Sequence, residues 1–216
     1  MTGSIKVYPS ARATAALMLA HGAGAGQQSP FMVFAAHELA RRGVTIVTFD
    51  FPYIVQKRKV PDRGPVLEQA WREAIEAARR EPALGGLPLF IGGKSMGGRI
   101  ASQVAATGIG IEGVRGLVFL GYPLHPPRKP DQRRDRHLPD VQVPMLFVQG
   151  SRDDLGTADE IRALLPSLRA PAALVVVEGG DHSFNLPARL GRTSDAVLAS
   201  VFDAVAAFVG SHRDPT

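Results

Sequence analysis

A serine in a glycine-rich segment is the residue of this chain best placed to do chemistry. Ser95 lies in Gly93-Lys94-Ser95-Met96-Gly97, after the apolar run 87–91 and before the run 99–105, which has helix-forming character. This places the serine on a predicted strand-to-helix turn, the arrangement typical of the G-x-S-x-G nucleophile elbow. Strand and helix can approach each other there only if the outer residues of the motif lack bulk, which its two glycines satisfy. We therefore expect the serine hydroxyl to project from the end of the strand.

A serine hydroxyl becomes a strong nucleophile only when a base accepts its proton and an acid supports that base. Two later segments supply both groups. The apolar run 145–149 is followed by Asp153 and Asp154, and the apolar run 173–177 is followed by His182. The order serine, aspartate, histidine, with each residue after its own predicted strand, predicts a catalytic triad. Asp153 is favoured as the acid, and Asp154 is the alternative.

A loop of small residues precedes the serine and could hold the charge that develops in an acyl transfer. The apolar run 15–20 leads into His21-Gly22-Ala23-Gly24. Such a loop can direct a backbone N–H at the oxyanion that forms when a carbonyl is attacked. We expect the N–H groups of Ala23 and of Met96, which begins a helix, to form this oxyanion hole. His21 is expected to anchor the loop rather than to act as a second base.

The remaining pattern predicts the scaffold that holds these groups. Nearly continuous apolar strands alternate with amphipathic helices, which indicates an α/β fold with a mostly parallel central sheet and helices on both faces. No linker or internal repeat divides the chain, so we expect a single α/β domain over residues 1–216. Ligands of such sheets bind at the carboxyl ends of strands, where all the candidate catalytic residues fall. The predicted strands are 15–20, 44–49, 87–91, 116–120, 145–149 and 173–177, and the predicted helices are 31–42, 65–81, 99–105, 158–165 and 194–209.

Two segments interrupt this alternation on the same side of the sheet. Residues 51–59 follow the second strand, and residues 122–140 form a proline- and arginine-rich stretch after the strand 116–120. The second segment is too short and too polar to build a cap domain. We expect it to be an irregular, mobile loop with no apolar face to pack down, beside an open site. Four aromatic residues are candidates for the walls of the substrate pocket: Phe31, Tyr53, Tyr122 and Phe184.

These motifs together resemble the α/β-hydrolase superfamily, over nearly the whole chain. The segments 19–24, 92–99 and 179–184 read LAHGAG, GGKSMGGR and GGDHSF. They are similar to those of a small, lidless branch related to dienelactone-hydrolase-like proteins. The Gly-x-x-Asp spacing of that family, counted here from Gly150, implies Asp153 as the acid. The resemblance implies an α/β-hydrolase fold without a substantial cap domain, and a reaction class more firmly than a particular substrate.

Composition narrows the possible kinds of site. The chain has no cysteine, which excludes disulfides and thiolate sites, and its histidines lack metal-ligand spacing, so no metal is expected. No phosphate- or dinucleotide-binding fingerprint is complete, and the predicted chemistry needs no cofactor. The apolar runs are too short to cross a bilayer. We therefore expect no membrane association and a cytoplasmic location.

The formal net charge of +5 raises the question of a nucleic-acid partner. The basic residues lie at helix ends or are interleaved with acidic ones, and they lack aromatic neighbours on which bases could stack. We expect no nucleic-acid partner and infer that the charge instead attracts anionic small molecules to an open site. Lys94, inside the elbow, is either a solvated side chain at the rim or part of this attraction.

The sequence thus predicts a serine hydrolase that cleaves a small ester, thioester or lactone, with anionic acyl substrates included. The alternative is a hydrolase-like scaffold or binding protein that turns nothing over. The sequence leaves the acyl group, the leaving group and the oligomeric state open.

Overall fold

Seven strands of the described chain form one sheet whose central members are buried apolar runs. The computed structural model describes residues 3–188, 191 and 193–213. The strands are β1 Lys6–Tyr8, β2 Ala15–Ala20, β3 Val44–Phe49, β4 Leu89–Lys94, β5 Val114–Leu120, β6 Met145–Gly150 and β7 Ala172–Val177. Their order in the sheet is β1-β3-β2-β4-β5-β6-β7, with β1 antiparallel to β3 and every other neighbouring pair parallel. The predicted mostly parallel sheet is confirmed.

Helices cover both faces of the sheet, because each central strand is apolar on both sides. The α-helices are α1 Pro30–Arg41, α2 Pro52–Val55, α3 Gly64–Arg79, α4 Met96–Thr107, α5 Ala158–Leu164 and α6 Ser194–Ser211. Side chains alternate along β2, so Ala16 and Met18 join one core while Leu17 and Leu19 join the other. Helices α3, α4 and α5 contribute to the first core, and α1 and α6 to the second. The predicted helices on both faces are therefore present.

The N-terminal edge and the segment after β3 differ from the prediction. The sequence pattern indicates no strand before residue 15, yet Lys6–Tyr8 pairs with β3 as a short edge strand. Residues 51–59, expected as a loop, begin with the single-turn helix α2, which Pro52 starts at its first position. Both elements are too short to produce a periodic pattern in the sequence.

Helix α6 is long and apolar enough, by length and composition alone, to cross a membrane. Core helices of soluble proteins pass the same test. Here one side of the helix is buried against the sheet, and this side consists of Val197, Val201, Phe202, Val205, Phe208 and Val209. These contacts explain why α6 is apolar, since it packs against the sheet as a core helix does.

Residues 122–140 form a loop, hereafter the 122–140 loop, that is anchored to the core by apolar contacts. Tyr122, Leu124 and Leu138 are buried in the core, and Leu138–Asp140 form a short 3₁₀ turn. The prediction that this segment has no apolar face to pack down is wrong, because apolar residues near both ends fasten it to the body of the protein. The charged middle of the loop is exposed. As predicted, the loop contains no α-helix, so it forms no helical cap.

Candidate active site

Ser95 lies between the last residue of β4 and the first residue of α4, with a backbone conformation that side chains rarely adopt. Its φ is 50° and its ψ is −118°. Two hydrogen bonds hold this conformation: the Ser95 N–H donates to the Leu120 carbonyl at 3.1 Å, and the Ser95 carbonyl accepts from the Arg99 N–H at 3.1 Å. A strained residue fixed by the strand on one side and the helix on the other is the expected geometry of a nucleophile elbow.

The two glycines of the motif are required by close approach of the neighbouring backbone. A Cβ atom on Gly93 would lie 2.3 Å from the Ala20 carbonyl oxygen, and a Cβ atom on Gly97 would lie 2.3 Å from the same atom. The predicted need for small residues at both positions is confirmed. The crowding atom belongs to Ala20, the last residue of β2. The elbow therefore lies in close contact with the end of β2 and with the loop that follows β2.

The three candidate catalytic residues follow the carboxyl ends of different strands and meet in one hydrogen-bonded chain. The His182 Nε2 atom lies 2.8 Å from Ser95 Oγ, and its Nδ1 atom lies 2.7 Å from Asp153 Oδ2. Asp154, the alternative acid, is exposed to solvent. The structure therefore brings Ser95, His182 and Asp153 together and leaves Asp154 outside the contact.

The surroundings of Asp153 determine how the imidazole is oriented. Asp153 is fully buried; Oδ1 accepts the Leu155 N–H at 2.9 Å and Oδ2 accepts Gln149 Nε2 at 2.8 Å. An ionised carboxylate only accepts hydrogen bonds, so His182 must donate its Nδ1–H to it. The Nε2 atom of neutral His182 is then an acceptor, and it faces the Ser95 hydroxyl. This is the tautomer that a general base for the serine needs.

Gln149 is a site residue that the sequence analysis did not identify. It is fully buried on β6. Besides Asp153, its Nε2 donates to the Gly156 carbonyl at 2.6 Å, and its Oε1 accepts the Tyr122 N–H at 2.8 Å. Gln149 thus ties the acid loop to the start of the 122–140 loop. The signal in the sequence is a polar amide inside an otherwise apolar strand, since a buried amide is retained only where it has partners.

Lys94 is partly buried beside Ser95 and has protein partners, so it is not a freely solvated side chain at the rim. Its Nζ donates to the His182 carbonyl at 2.5 Å and lies 5.5 Å from the centre of the Phe184 ring. Burial lowers the pKa of Lys94 from 10.5 to about 8, and the negative charges of Asp153 and Asp181 oppose this effect. The Lys94 side chain therefore links the loop that carries His182 to the elbow.

The loop after β2 is held by a buried histidine and a tyrosine. His21 Nε2 accepts the Phe51 N–H at 3.2 Å, so its Nδ1 carries the proton that is donated to the Gly22 carbonyl at 2.8 Å. Burial lowers the pKa of His21, which favours this neutral form. The Tyr53 hydroxyl accepts the Gly24 N–H at 3.2 Å. His21 thus lies where the sequence analysis expected it, as an anchor of the loop.

The candidate oxyanion donors lie beside Ser95. Ala23 borders both clefts that reach Ser95, and Met96 borders one of them. Among the described residues, neither the Ala23 N–H nor the Met96 N–H donates to a protein acceptor. Both donors are therefore free to bind an oxygen atom of a substrate.

Two clefts meet at Ser95, and Ala23 and Leu155 lie at the border of both. One has a volume of about 410 Å³ and is lined by Phe31, Met32, Lys94, Ser95 and His182 together with small residues of the oxyanion loop. The other has a volume of about 380 Å³ and is lined by Ser95, Met96 and a more polar group of side chains: Asp62, Arg99, Gln103 and Arg134. We call the first the histidine cleft and the second the arginine cleft. A substrate held at Ser95 can extend into both.

A family model of the alpha/beta hydrolase domain matches residues 13–210. The chain belongs to this family. Its members are hydrolases by name, and the hydrogen-bonded serine, histidine and aspartate of this alpha/beta hydrolase lie at the sheet edge where the fold places ligands. Family membership supports an enzyme of the hydrolase class.

Several solved structures share the fold of this chain over nearly its whole length. A dienelactone hydrolase from Anabaena variabilis is 21% identical with a TM-score of 0.77, covering 99% of this chain and 97% of that chain. A lidless α/β serine hydrolase from Xanthomonas campestris is 18% identical with a TM-score of 0.70, covering 100% and 95%. Est1E from Butyrivibrio proteoclasticus is 14% identical with a TM-score of 0.67, covering 95% of this chain and 98% of that chain. The resemblance to a lidless α/β hydrolase is confirmed.

Three of the four aromatic residues expected as pocket walls are buried beneath the site instead. Phe31 lines the histidine cleft, as expected. Tyr53, Tyr122 and Phe184 are almost wholly buried, so they expose no ring surface to a ligand. Tyr53 supports the oxyanion loop, Tyr122 donates its hydroxyl to the Arg134 carbonyl at 3.0 Å, and Phe184 packs in the core below Lys94.

Within the described chain, no group of acidic or histidine side chains could hold a metal ion.

Proposed function

We propose that this alpha/beta hydrolase is a serine hydrolase that cleaves a small carboxylic ester, thioester or lactone through an acyl-enzyme. The observation that carries the proposal is the unbroken hydrogen-bonded chain from Asp153 through His182 to Ser95, with distances of 2.7 Å and 2.8 Å. Through such a chain, His182 can accept the proton of Ser95, and the buried carboxylate of Asp153 stabilises the resulting imidazolium.

In the first half of the proposed reaction, Ser95 Oγ attacks the carbonyl carbon of the substrate. Its proton passes to His182 Nε2, and Asp153 supports the imidazolium that results. The carbonyl oxygen becomes an oxyanion, which accepts hydrogen bonds from the N–H groups of Ala23 and Met96. When the tetrahedral intermediate collapses, the leaving alcohol or thiol takes the proton from His182. An ester between Ser95 and the acyl group remains.

In the second half, water replaces the alcohol. His182 accepts a proton from a water molecule, whose oxygen attacks the acyl carbon and forms a second oxyanion in the same place. Collapse of this intermediate returns the proton from His182 to Ser95 Oγ and releases the carboxylic acid. Each proton that His182 accepts is thus given up again within the cycle.

The size of the clefts supports a small substrate. Volumes of about 410 Å³ and about 380 Å³ lie in the lower part of the range for small-molecule pockets. The histidine cleft contributes apolar surface from Phe31 and Met32, which suits a short alkyl or aryl group.

Labelling with a fluorophosphonate probe tests the nucleophile directly, because such probes react with an activated serine. We expect the folded protein to be labelled at Ser95 and to hydrolyse phenyl esters, with Ser95→Ala abolishing labelling and lowering turnover by a factor on the order of 10³ or more. Ser102→Ala is the matched control, since this buried serine lies on α4 outside both clefts. Failure to label Ser95 in folded protein would instead support the scaffold that turns nothing over.

A further inference from the structure

The arginine cleft contains two cations for which the described structure provides no counter-ion. Arg99 and Arg134 both line the cleft, together with Ser95 and Met96. Neither forms an ion pair with a described residue. Buried or half-buried charges are costly unless they are paired, so an unpaired cluster beside a nucleophile indicates a place where a charged ligand binds.

Arg99 is the more buried of the two. It lies one turn after Ser95 on α4, and side chains of a helix lean towards its N-terminus, which brings Arg99 towards the elbow. Its Nε atom is buried with no hydrogen-bond partner, and Nη1 makes one long contact of 3.3 Å with Gln103 Oε1. Burial lowers the pKa of Arg99, and the positive charge of Arg134 acts in the same direction. An arginine has five N–H donors, so most of its hydrogen-bonding capacity here is unused.

Arg134 is held at the cleft by its backbone. Its N–H donates to the Leu124 carbonyl at 2.8 Å, and its carbonyl accepts the Tyr122 hydroxyl at 3.0 Å. The neighbouring Arg133 differs, because its guanidinium is paired with Asp135. The loop thus fixes Arg134 at the cleft without an ionic partner, whereas Arg133, the residue before it, is neutralised by Asp135.

The carboxylates near the cleft already have cationic partners. Asp62 lines the cleft and pairs with Arg58, while its Oδ2 atom is buried without a hydrogen-bond partner. Glu68 lies close enough to affect Arg99 electrostatically, but its contact is with Arg72 at 3.7 Å. The positive charge of Arg99 and Arg134 therefore remains available to a ligand.

The position of His182 decides which part of an ester enters which cleft. His182 must protonate the leaving oxygen, and it lines the histidine cleft but not the arginine cleft. The alcohol part of the substrate therefore occupies the histidine cleft. The acyl chain, attached on the other side of the carbonyl, extends into the arginine cleft.

We propose that the arginine cleft binds a carboxylate at the far end of the acyl group, so that the preferred substrates are half-esters of dicarboxylic acids with an apolar alcohol. A planar guanidinium can bind a carboxylate through two parallel hydrogen bonds, which matches the unused donors of Arg99. This inference rests on the serine-hydrolase reaction proposed above, and it adds the acyl specificity.

The test compares monophenyl adipate with phenyl hexanoate, which share the alcohol and the acyl length and differ in a terminal carboxylate. Ser95→Ala provides the background rate. We expect kcat/KM to favour the adipate ester by roughly 10- to 100-fold, the range of charge-assisted hydrogen bonds. Arg99→Met should abolish this preference, Arg99→Lys should restore part of it, and Arg134→Gln should lower it. Arg133→Gln is the matched control and should leave the preference unchanged.

The hexanoate ester of para-hydroxybenzoate carries its carboxylate on the alcohol and serves as the second control. It experiences the same overall positive charge of the protein, so an equal preference for this ester, with equal sensitivity to Arg99→Met, would overturn the assignment of the acyl group to the arginine cleft. Equal kcat/KM for the adipate and hexanoate esters, with Ser95-dependent cleavage of both, would overturn this inference and leave the proposed function intact. No Ser95-dependent cleavage of any ester would overturn both. If Arg99→Met does not fold, Arg134→Gln decides, and an unchanged preference in that variant would contradict the proposal.

Discussion

Asp153 and Asp154 are neighbours in the sequence with opposite surroundings. Asp153 is fully buried and accepts hydrogen bonds from Leu155, Gln149 and His182, whereas Asp154 is exposed. A buried carboxylate with this set of donors is held in one position. The turn after β6 therefore directs one of the two carboxylates inward, into contact with His182, and leaves the other in solvent.

Exchanging each aspartate for asparagine tests which of them is the acid. In Asp153→Asn the imidazolium of His182 loses its charged support and the preferred tautomer, so kcat should fall on the order of 10²- to 10⁴-fold. Asp154→Asn has the same chemical change at an exposed position and should stay within about twofold of the parent. Steady-state hydrolysis of a phenyl ester measures both. The opposite pattern would assign the acid role to Asp154.

Lys94 carries a charge whose burial should be visible in the pH dependence of stability. Its pKa in the folded protein is about 8 against an ordinary value of 10.5, with burial as the main cause. Between these two pH values the unfolded chain holds a proton that the folded protein has released. Raising the pH through this window therefore favours the folded state, and below about pH 8 the folded protein bears the cost of a buried ammonium group.

Lys94→Met should remove this pH dependence. We expect the free energy of unfolding at neutral pH to rise by about 1–3 kcal/mol, since one pKa unit corresponds to about 1.4 kcal/mol and the lost hydrogen bond to His182 offsets part of the gain. The rise in stability of the parent between pH 8 and pH 10.5 should be smaller in the variant. Urea unfolding across this range measures both quantities. Parallel curves for parent and variant would mean that Lys94 is not responsible.

At the scale of elements, the elbow depends on how closely α4 and β2 approach each other. A Cβ atom on Gly97 would lie 2.3 Å from the Ala20 carbonyl oxygen and 2.7 Å from that of His21. These are backbone atoms of a central strand and of the loop that follows it, so neither can move without disturbing the sheet. The clash would be relieved by displacing the elbow that carries Ser95.

Gly97→Ala should therefore lower both stability and activity. Forcing a methyl group into this contact should cost on the order of 1–3 kcal/mol of unfolding free energy, and displacement of Ser95 should reduce kcat by at least about tenfold. Gly210→Ala is the control, because that glycine lies in α6 and a methyl group added to it would meet no atom within 4 Å, so this variant should gain up to about 1 kcal/mol. Thermal unfolding and ester hydrolysis distinguish the two variants. A fully active Gly97→Ala would show that the approach of strand and helix does not position Ser95.

The elements that could be predicted from sequence are those in which apolar residues form a long run or repeat with helical spacing. The strands β2 to β7 and the helices α1 and α3 to α6 follow from apolar runs and helical spacing, with boundaries shifted by a few residues. The strand β1 has three residues and α2 has four, which is too short for periodicity to reveal. The positions of Ser95, Asp153 and His182 at strand ends follow directly from the motif and its chain order. The scaffold and the candidate triad were therefore predictable together.

The contacts of individual side chains were not predictable in the same way. Tyr53 and Tyr122 follow strand ends and are aromatic, which suits a pocket wall and a buried anchor equally well. Their hydroxyl groups find partners in Gly24 and Arg134, so the rings can be buried without leaving a polar atom unpaired. Gln149 bonds to Asp153 and Gly156, four and seven residues further along the chain, and to Tyr122, which follows the neighbouring strand β5. The amide stands out in the apolar sequence of β6, but its partners are set by the turn after β6 and by the pairing of β6 with β5.

For the molecule as a whole, the 122–140 loop determines whether the site is open or closed. Two apolar residues at its start and one near its end are buried in the core, and His137 Nε2 lies 2.8 Å from Ser102 Oγ on α4. The loop is therefore seated beside the arginine cleft rather than poised above it. Ser95 is partly exposed, and no α-helix of the described chain inserts between β5 and β6 to cover it.

An open site should hydrolyse dissolved esters without activation at a lipid–water interface. Interfacial activation arises when a lid moves away from the nucleophile at an apolar surface, and here the candidate segment is already fastened by buried side chains. We expect the rate of phenyl butyrate hydrolysis to follow a simple saturation curve as its concentration passes the solubility limit. Ser102→Ala, which removes the contact of α4 with His137, should keep the same curve shape, because the loop does not have to open. An upward break in the rate where the ester forms droplets would show that the loop, or another segment, closes over Ser95 in solution.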